Sequence, residues 1–232
     1  MISWHWLKAD MHAGSGREKA WTVGEERTSK CKVIKLCKSG YHSSPTLFDA
    51  LAYAPGTMAC IVEISEPEGR DETKFVSRTR KLLAAVNVEK YLRQFACDCA
   101  ERACIREREK GREPDARSWA AIEAARACIR GEITPEELSA ANHAANYAAY
   151  YAANSAANYA AYSAAYSAAH SAANYAAYSA ANSAANSAAY SAANYAAYSA
   201  ARSVERAWQR TRFDEVVLPK LEAASRFAEV SS

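Results

Sequence analysis

The chain has 232 residues, with 29 basic and 26 acidic side chains, which gives a net charge of +3 at pH 7. So small an excess excludes a strongly basic nucleic-acid-binding protein, since charge-driven binding of a polyanion needs a clear surplus of cations. Residues 139–201 contain no Lys, Arg, Asp or Glu, and their apolar content is mostly alanine. A single large domain spread over the whole chain is therefore excluded, because buried alanine contributes little apolar area to a core.

Residues 1–82 carry the signals of β-strands and turns. The stretch Cys31–Cys37 is short and rich in apolar and β-branched residues, so we predict a strand there. A second strand is predicted over Met58–Ile64, bounded on both sides by proline. Between them we predict a short helix over Thr46–Tyr53, with Pro45 favourable at its first turn. These elements predict a small strand–helix–strand domain.

From about Phe75 the apolar residues recur at steps of three and four, which predicts helix and a helical domain over 83–136. A second helix is predicted over Arg117–Arg130, ending at Gly131. Thr134-Pro-Glu-Glu137 has the signature of a further helix start. Four charged residues are expected to tie the two middle helices together rather than to catalyse a reaction: Glu101, Arg102, Asp115 and Arg117.

From Ser139 to Arg202 the chain repeats the unit x-Ala-Ala-y 16 times in 64 residues. Alanine is the best helix former, so we predict a helix that is about 96 Å long if unbroken, or else broken and folded back. Each repeat advances the alanine stripe by about 40° around the helix. This drift destroys the flat face that ice binding needs, and stacking on single-stranded nucleic acid needs cations that the repeat lacks. We therefore predict an Ala-rich spacer or assembly helix over 137–212 that supports homo-oligomerisation. A C-terminal helix over 213–232 is expected to pack back.

The seven cysteines are an odd number without the spacing of a disulfide framework. We expect reduced thiols in a cytoplasmic protein. Zinc bound by Cys31, Cys37 and His42 is the alternative, but no Cys-x-x-Cys pair supports it, and neither a metal nor another cofactor is expected. No apolar run is long enough to cross a membrane, and Met1–Asp10 lacks the layout of a secretory signal.

The candidate site is the turn Gly40-Tyr41-His42. A histidine just past a strand can act as an acid, a base or a ligand-binding donor, and it can equally hold the backbone of its own turn. The sequence contains neither a phosphate-binding glycine loop nor a nucleophile motif, so no catalytic residue is assigned. The candidate binding residues are Trp21, Gly24, Cys37, Gly40, Tyr41, His42 and Tyr53.

Two parts of the chain resemble known families. Residues 1–85 resemble an uncharacterised domain common in phage and bacterial genomes, on Trp21-x-Val-Gly24, Leu36-Cys-x-Ser-Gly-Tyr-His42, Asp49-Ala-Leu-x-Tyr53 and Ile61-Val-Glu-Ile64. Residues 91–150 resemble a helical immunity-protein domain of bacterial polymorphic-toxin systems, on Ala96-Cys-Asp-Cys-Ala-Glu-Arg102, Ala121-Ile-Glu-Ala-Ala-Arg126 and Arg130-Gly-Glu-Ile-Thr134. The resemblances imply a non-enzymatic accessory protein of a phage or mobile element that binds another protein, with an immunity or anti-defence role.

The predicted elements together make the chain α+β, and they leave a second function open. A strand, a His turn, a short helix with Tyr53 and a strand ending near Glu63 are similar to part of an ADP-ribosyltransferase-like fold, with His5 as the histidine of the first strand. That similarity implies a small enzyme or a nucleotide-binding protein that uses the His42 turn.

Overall fold

In the computed structural model of the chain, the described residues are 1–14, 18–111, 113–114, 116–134, 136–138 and 198–223, with side chains from 204 onward in the last range. They divide into two compact units. One consists of residues 1–89 with the segment from 214, and the other of residues 90–213. Strands precede the long helices along the chain, which confirms the α+β class. The predicted Ala-rich helix lies outside the described residues except for its last turns.

Seven strands and one short helix make up the described part of residues 1–88. They are β1 (Ile2–Leu7), β2 (Glu26–Thr28), β3 (Tyr41–Ser43), α1 (Leu47–Leu51), β4 (Met58–Ile64), β5 (Gly69–Arg70), β6 (Phe75–Ser77) and β7 (Thr79–Asn87). β4 has the predicted bounds. α1 is the predicted helix, but Thr46 is its N-cap and accepts a hydrogen bond from the amide of Asp49. Pro45 therefore precedes the cap and does not occupy the first turn.

The strands form two antiparallel sheets, in the orders β1-β4-β7-β2 and β3-β6-β5. A bridge between Trp4 and Ser44 joins the edge of β1 to the residue that follows β3. His5 pairs with Cys60, and Ile64 pairs with Arg80. Because directly paired residues point to the same side of a sheet and alternate residues share a face, His5 and Arg80 lie on one face of the four-stranded sheet.

The predicted strand over Cys31–Cys37 is wrong. The segment is a loop closed by hydrogen bonds between the backbones of Lys35 and Ser39, and Cys37 has a φ of 62°. Ile34 is buried, whereas Val33 is 71% exposed, and this alternation is also typical of a half-buried strand, so it did not distinguish the loop from a strand. The strand of this region is β3, which begins only after the Gly40 turn.

The helix predicted from Phe75 is also wrong for its first part, because residues 75–87 form β6 and β7. In β7 burial alternates strictly at first, with Arg80, Leu82 and Ala84 buried and the residues between them only half-buried. Apolar residues placed at 76, 82, 83 and 86 fit a helical spacing as well as a strand, so periodicity alone did not separate the two structures.

The helices of the second unit are α2 (Glu89–Glu109), α3 (Ala116–Arg130) and α4 (Tyr198–Val216). The predicted helix ending at Gly131 is confirmed, and that glycine has a φ of 78°. The predicted helix start is also confirmed: Thr134 and Glu137 exchange hydrogen bonds between side chain and backbone. The last repeat unit, Ser199–Arg202, is helical within α4.

Small side chains form the core between α2 and α3. Ala100 and Cys104 of α2 meet Ile122 and Ala125 of α3, with Leu138 closing the cluster. Further along, Phe213, Val217 and Leu221 are buried at a four-residue spacing, as expected of an apolar helix face, while Phe227 lies outside the described residues. Within the described ranges, no helix is long and apolar enough to cross a membrane.

Candidate functional site

A cavity of about 610 Å³ lies within the N-terminal unit and contains most of the predicted site residues. It lies beside the His42 turn and receives residues from β1, β3, α1 and β7, which are far apart in sequence. Its polar and aromatic lining consists of Trp4, His5, Trp6, Glu18, Cys37, Lys38, Tyr41, His42, Ser43, Ser44, Tyr53, Lys74 and Arg80.

His42 holds its own turn together. Its Nε2 atom accepts a hydrogen bond of 2.8 Å from the backbone amide of Cys37, so that nitrogen carries no proton. Burial lowers the pKa of His42, and the positive charges of Lys74 and Arg80 lower it further. The neutral imidazole thus stabilises the turn by accepting a hydrogen bond from a backbone amide of the same turn, as a capping side chain does at the start of a helix.

Gly40 is needed in this turn for two reasons. Its φ is 95°, a conformation that side chains other than glycine's resist. A Cβ atom there would also lie 2.8 Å from Ile34 Cγ2 and 2.9 Å from Val76 Cγ2. The glycine therefore lets the turn pass directly over β6.

Arg80 is a buried cation at the base of the cavity, with 3% of its surface exposed. Its guanidinium lies over the rings of Trp21 at 4.4 Å and Tyr41 at 4.9 Å, and Nη1 donates to the carbonyl of His42 at 3.1 Å. Burial lowers the pKa of Arg80 to about 10, while Glu18 favours its charged form. In the described part of the chain, no carboxylate comes within ion-pair distance of it.

His5 and Ser43 each place a buried polar atom at this cavity, namely Nε2 and Oγ, for which the described residues supply no hydrogen-bond partner. Burial, together with the positive charge of Arg80, lowers the pKa of His5 well below its usual 6.5, so the ring is neutral at pH 7. Unsatisfied buried polar atoms are rare in folded proteins, because each costs about 1–3 kcal/mol.

Lys74 sits at the mouth of the cavity between two of the predicted site residues. Its Nζ lies 3.1 Å from the sulfur of Cys37 and 4.4 Å from the centre of the Tyr53 ring. The hydrogen bond to Cys37 raises the pKa of Lys74, so the amine stays charged. The predicted zinc alternative gains no support here, since a lysine occupies the space beside the thiol.

The structure brings together Cys37, Gly40, Tyr41, His42 and Tyr53 at the cavity. Trp21 packs behind them, with its ring edge-to-face on Tyr41 at 5.6 Å. Gly24 lies apart, where its amide donates to the carbonyl of Leu82. Sequence reasoning missed Arg80, Lys74 and Ser43. Arg80 lies in β7 and Ser43 ends β3, whereas Lys74 lies in the turn before β6.

The described part of the second unit carries a network of arginine–carboxylate pairs. Arg126 of α3 bonds Glu101 at 2.6 Å and the buried Asp98 at 3.2 Å on α2. Arg212 of α4 bonds the other oxygen of Asp98 at 2.9 Å. The predicted role of Glu101 in joining the middle helices is therefore correct, whereas the expected partner Asp115 lies outside the described residues.

A second group of pairs joins α2 to α4. Glu205 is fully buried, and its Oε2 accepts hydrogen bonds from Arg102 at 2.9 Å and from Arg106. Arg102 also lies over the ring of Trp208 at 4.3 Å, and Phe95 meets Phe213 edge-to-face. Arg102 thus ties α2 to α4 rather than to α3. The two groups of pairs hold α3 and α4 against α2.

Two family models match the chain. Residues 1–94 match a domain of unknown function, DUF7666, and residues 85–216 match the family described as "Imm-5 like putative immunity protein". The second match covers more than half of the chain. The chain belongs to the Imm-5-like family. No curated protein and no solved structure matches it.

The Imm-5-like match confirms the predicted resemblance to immunity proteins and extends it beyond residue 150. It includes all of α2, α3 and α4, and the whole alanine repeat lies inside it. The repeat therefore falls within the family's domain rather than after it. The DUF7666 match covers every strand of the N-terminal unit and agrees with the first predicted resemblance.

Proposed function

We propose that this chain is an immunity protein that binds a partner protein, a bacterial toxin, and inactivates it without catalysing a reaction. The observation that carries the proposal is the Imm-5-like match over residues 85–216. The arginine–carboxylate network supports it, because a binding surface needs a scaffold that holds its shape. Origin in a phage or mobile element and action in the cytoplasm are parts of the same proposal.

The test is growth protection. The full chain is co-expressed in a bacterium with the product of the gene next to its own, under separate inducers. We expect that product to be toxic alone, and we expect the chain to restore growth and to co-purify with it in a fixed ratio. A harmless neighbour, or a toxic one against which the chain gives no protection, would contradict the proposal.

Charge-reversal variants of the full chain test where the proposed toxin-binding surface lies. Glu109→Lys, Glu136→Lys and Arg206→Glu change exposed residues of the Imm-5-like part that make no ion pair in the described part of the chain. Lys30→Glu and Lys32→Glu are the matched controls in the N-terminal unit. At least one of the first three should abolish protection at an unchanged melting temperature, while both controls should protect. Equal protection by all five variants would argue against binding through the helical unit.

We propose further that the alanine repeat is an assembly helix through which the chain forms homo-oligomers. The sequence supports this, since a helix of 16 repeats whose one charged residue is the final Arg202 presents alanine that allows close approach of a second helix. Light scattering after size exclusion should give a multiple of the chain mass. Removal of eight complete repeats should lower the mass toward the monomer, and a monomeric full chain would contradict the proposal.

A further inference from the structure

The cavity of the N-terminal unit has the features of a ligand site that the proposed immunity function does not use. His5 Nε2 and Ser43 Oγ are buried and have no hydrogen-bond partner in the part of the chain that the structure describes, and both residues line the cavity. Arg80 donates one described hydrogen bond, to the His42 carbonyl, and has no carboxylate partner among the described residues. The acceptor oxygens of a bound group would satisfy Arg80 and Ser43, and a hydroxyl on the same group, such as that of a singly protonated phosphate, would donate to Nε2 of the neutral His5 ring.

The charge of the lining indicates an anion. Lys38, Lys74 and Arg80 contribute three positive charges, and Glu18 contributes one negative charge, which leaves an excess of two. Arg80 is held by two aromatic rings and a carbonyl, so it is already ordered before any ligand binds. A preordered guanidinium with free donors suits the oxygens of a phosphate group.

The size and the aromatic lining indicate a ligand larger than a phosphate ion. About 610 Å³ lies within the range of sites for small organic molecules. Trp4 is half-buried at the wall and Tyr53 is 51% exposed at the mouth, so both offer ring surface to a planar group. Lys74 beside Tyr53 adds a second cation on that side.

We propose that this cavity binds a nucleoside phosphate, with the phosphate at Arg80, His5 and Ser43 and the base against the aromatic residues near its mouth. Ser43 contributes a buried hydroxyl that bonds none of the described residues. Lys38 is exposed, and its charge attracts the ligand without shaping the cavity. The proposal concerns residues 4–80 and is independent of toxin binding by the helical unit.

The proposal of a nucleoside phosphate site is tested by calorimetric titration of the full chain. The probes are the four ribonucleoside 5′-monophosphates, the matching nucleosides, and inorganic phosphate. At least one monophosphate should bind at least tenfold more tightly than either probe alone. Absence of binding for all four at millimolar concentration would overturn the proposal. Equal binding of inorganic phosphate would overturn the assignment of a nucleoside, and equal binding of the nucleoside would overturn the assignment of a phosphate.

Ser43→Ala separates a ligand site from a structural role. The variant removes an unpaired hydroxyl, so the melting temperature of the free protein should not fall, whereas affinity for the monophosphate should fall about tenfold. Ser77→Ala is the matched control: its buried hydroxyl donates to the Thr79 carbonyl at 2.9 Å, so stability should fall at unchanged affinity. Lys38→Ala should weaken binding at low salt only. Unchanged affinity in Ser43→Ala would refute the proposed phosphate position.

Discussion

Arg126→Ala is expected to destabilise the helical unit more than any change to a surface ion pair. Arg126 contacts three carboxylates: Asp98, Glu101 and Glu123. Glu123 is 64% exposed and Glu101 38% exposed, so each of these pairs contributes about 0–1 kcal/mol. The Asp98 side chain is 8% exposed, and losing one charged partner there costs about 1.5–3 kcal/mol, although Arg212 still compensates it. The total is about 1.5–5 kcal/mol.

Urea unfolding of the full chain, followed by far-ultraviolet circular dichroism, measures this loss as a lower midpoint at an unchanged slope. Glu123→Ala is the matched control, since it removes only the most exposed of the three pairs and should cost less than about 1 kcal/mol. A loss in Arg126→Ala no larger than that in Glu123→Ala would refute the assignment of Asp98 as the residue that depends on Arg126.

The same variant should change how stability depends on pH. The hydrogen bond from Arg126 lowers the pKa of Glu101 below its ordinary 4.5. A carboxyl group whose pKa is lowered by folding adds stability above its unfolded pKa, and that stability is lost as the pH falls through the folded pKa. The difference in the free energy of unfolding between the wild type and Arg126→Ala should therefore become smaller as the pH falls below 4.5. A difference that stays constant from pH 7 to pH 3 would contradict this account.

Two further predictions concern the His42 turn. Gly40→Ala should lower the free energy of unfolding by about 2–5 kcal/mol, because it adds both the strain of a positive φ and contacts below 3 Å. Gly24→Ala adds the strain alone and should lower it by about 1–2 kcal/mol. Thermal melts compare the two variants, and equal losses of stability would contradict the close approach of the turn to β6. His42→Ala removes the acceptor of the exposed Cys37 amide and should lower the free energy of unfolding by about 0.5–1.5 kcal/mol in the same melts. A loss above about 3 kcal/mol would contradict the assignment of this one hydrogen bond as the structural role of His42.

Local signals in the sequence predicted the elements that local interactions decide. The cap at Thr134 and the end of α3 at Gly131 each depend on neighbours within four residues, and the structure contains both. β4 is an apolar run interrupted by Glu63 and bounded by prolines, and these local features predict a strand with the observed bounds. The resemblance to immunity proteins rested on short motifs of α2 and α3, and the family match confirms it.

The errors lie where long-range pairing decides the structure. β7 carries apolar residues at spacings that suit a helix, and it is a strand because β4 and β2 pair with its two edges. β3 has three residues and exists through its pairing with β6, which begins 32 residues later than β3 ends. A strand this short has no pattern of its own to detect, whereas the apolar run before it at Cys31–Cys37 has the composition of a strand but no partner strand among the described residues to pair with.

The candidate site was predicted in part for the same physical reason. A turn with glycine, tyrosine and histidine is visible in the sequence, and those residues do line the cavity. Arg80 lies among basic residues of β7 that look like an exposed strand face, and its burial follows from the register that places it opposite Ile64 and on the face of His5. Burial of a guanidinium without a carboxylate is unfavourable unless other groups compensate its charge. In this fold the rings of Trp21 and Tyr41 and the carbonyl of His42 do so for Arg80. The residues that hold the proposed phosphate are therefore those that no single segment of the sequence could identify.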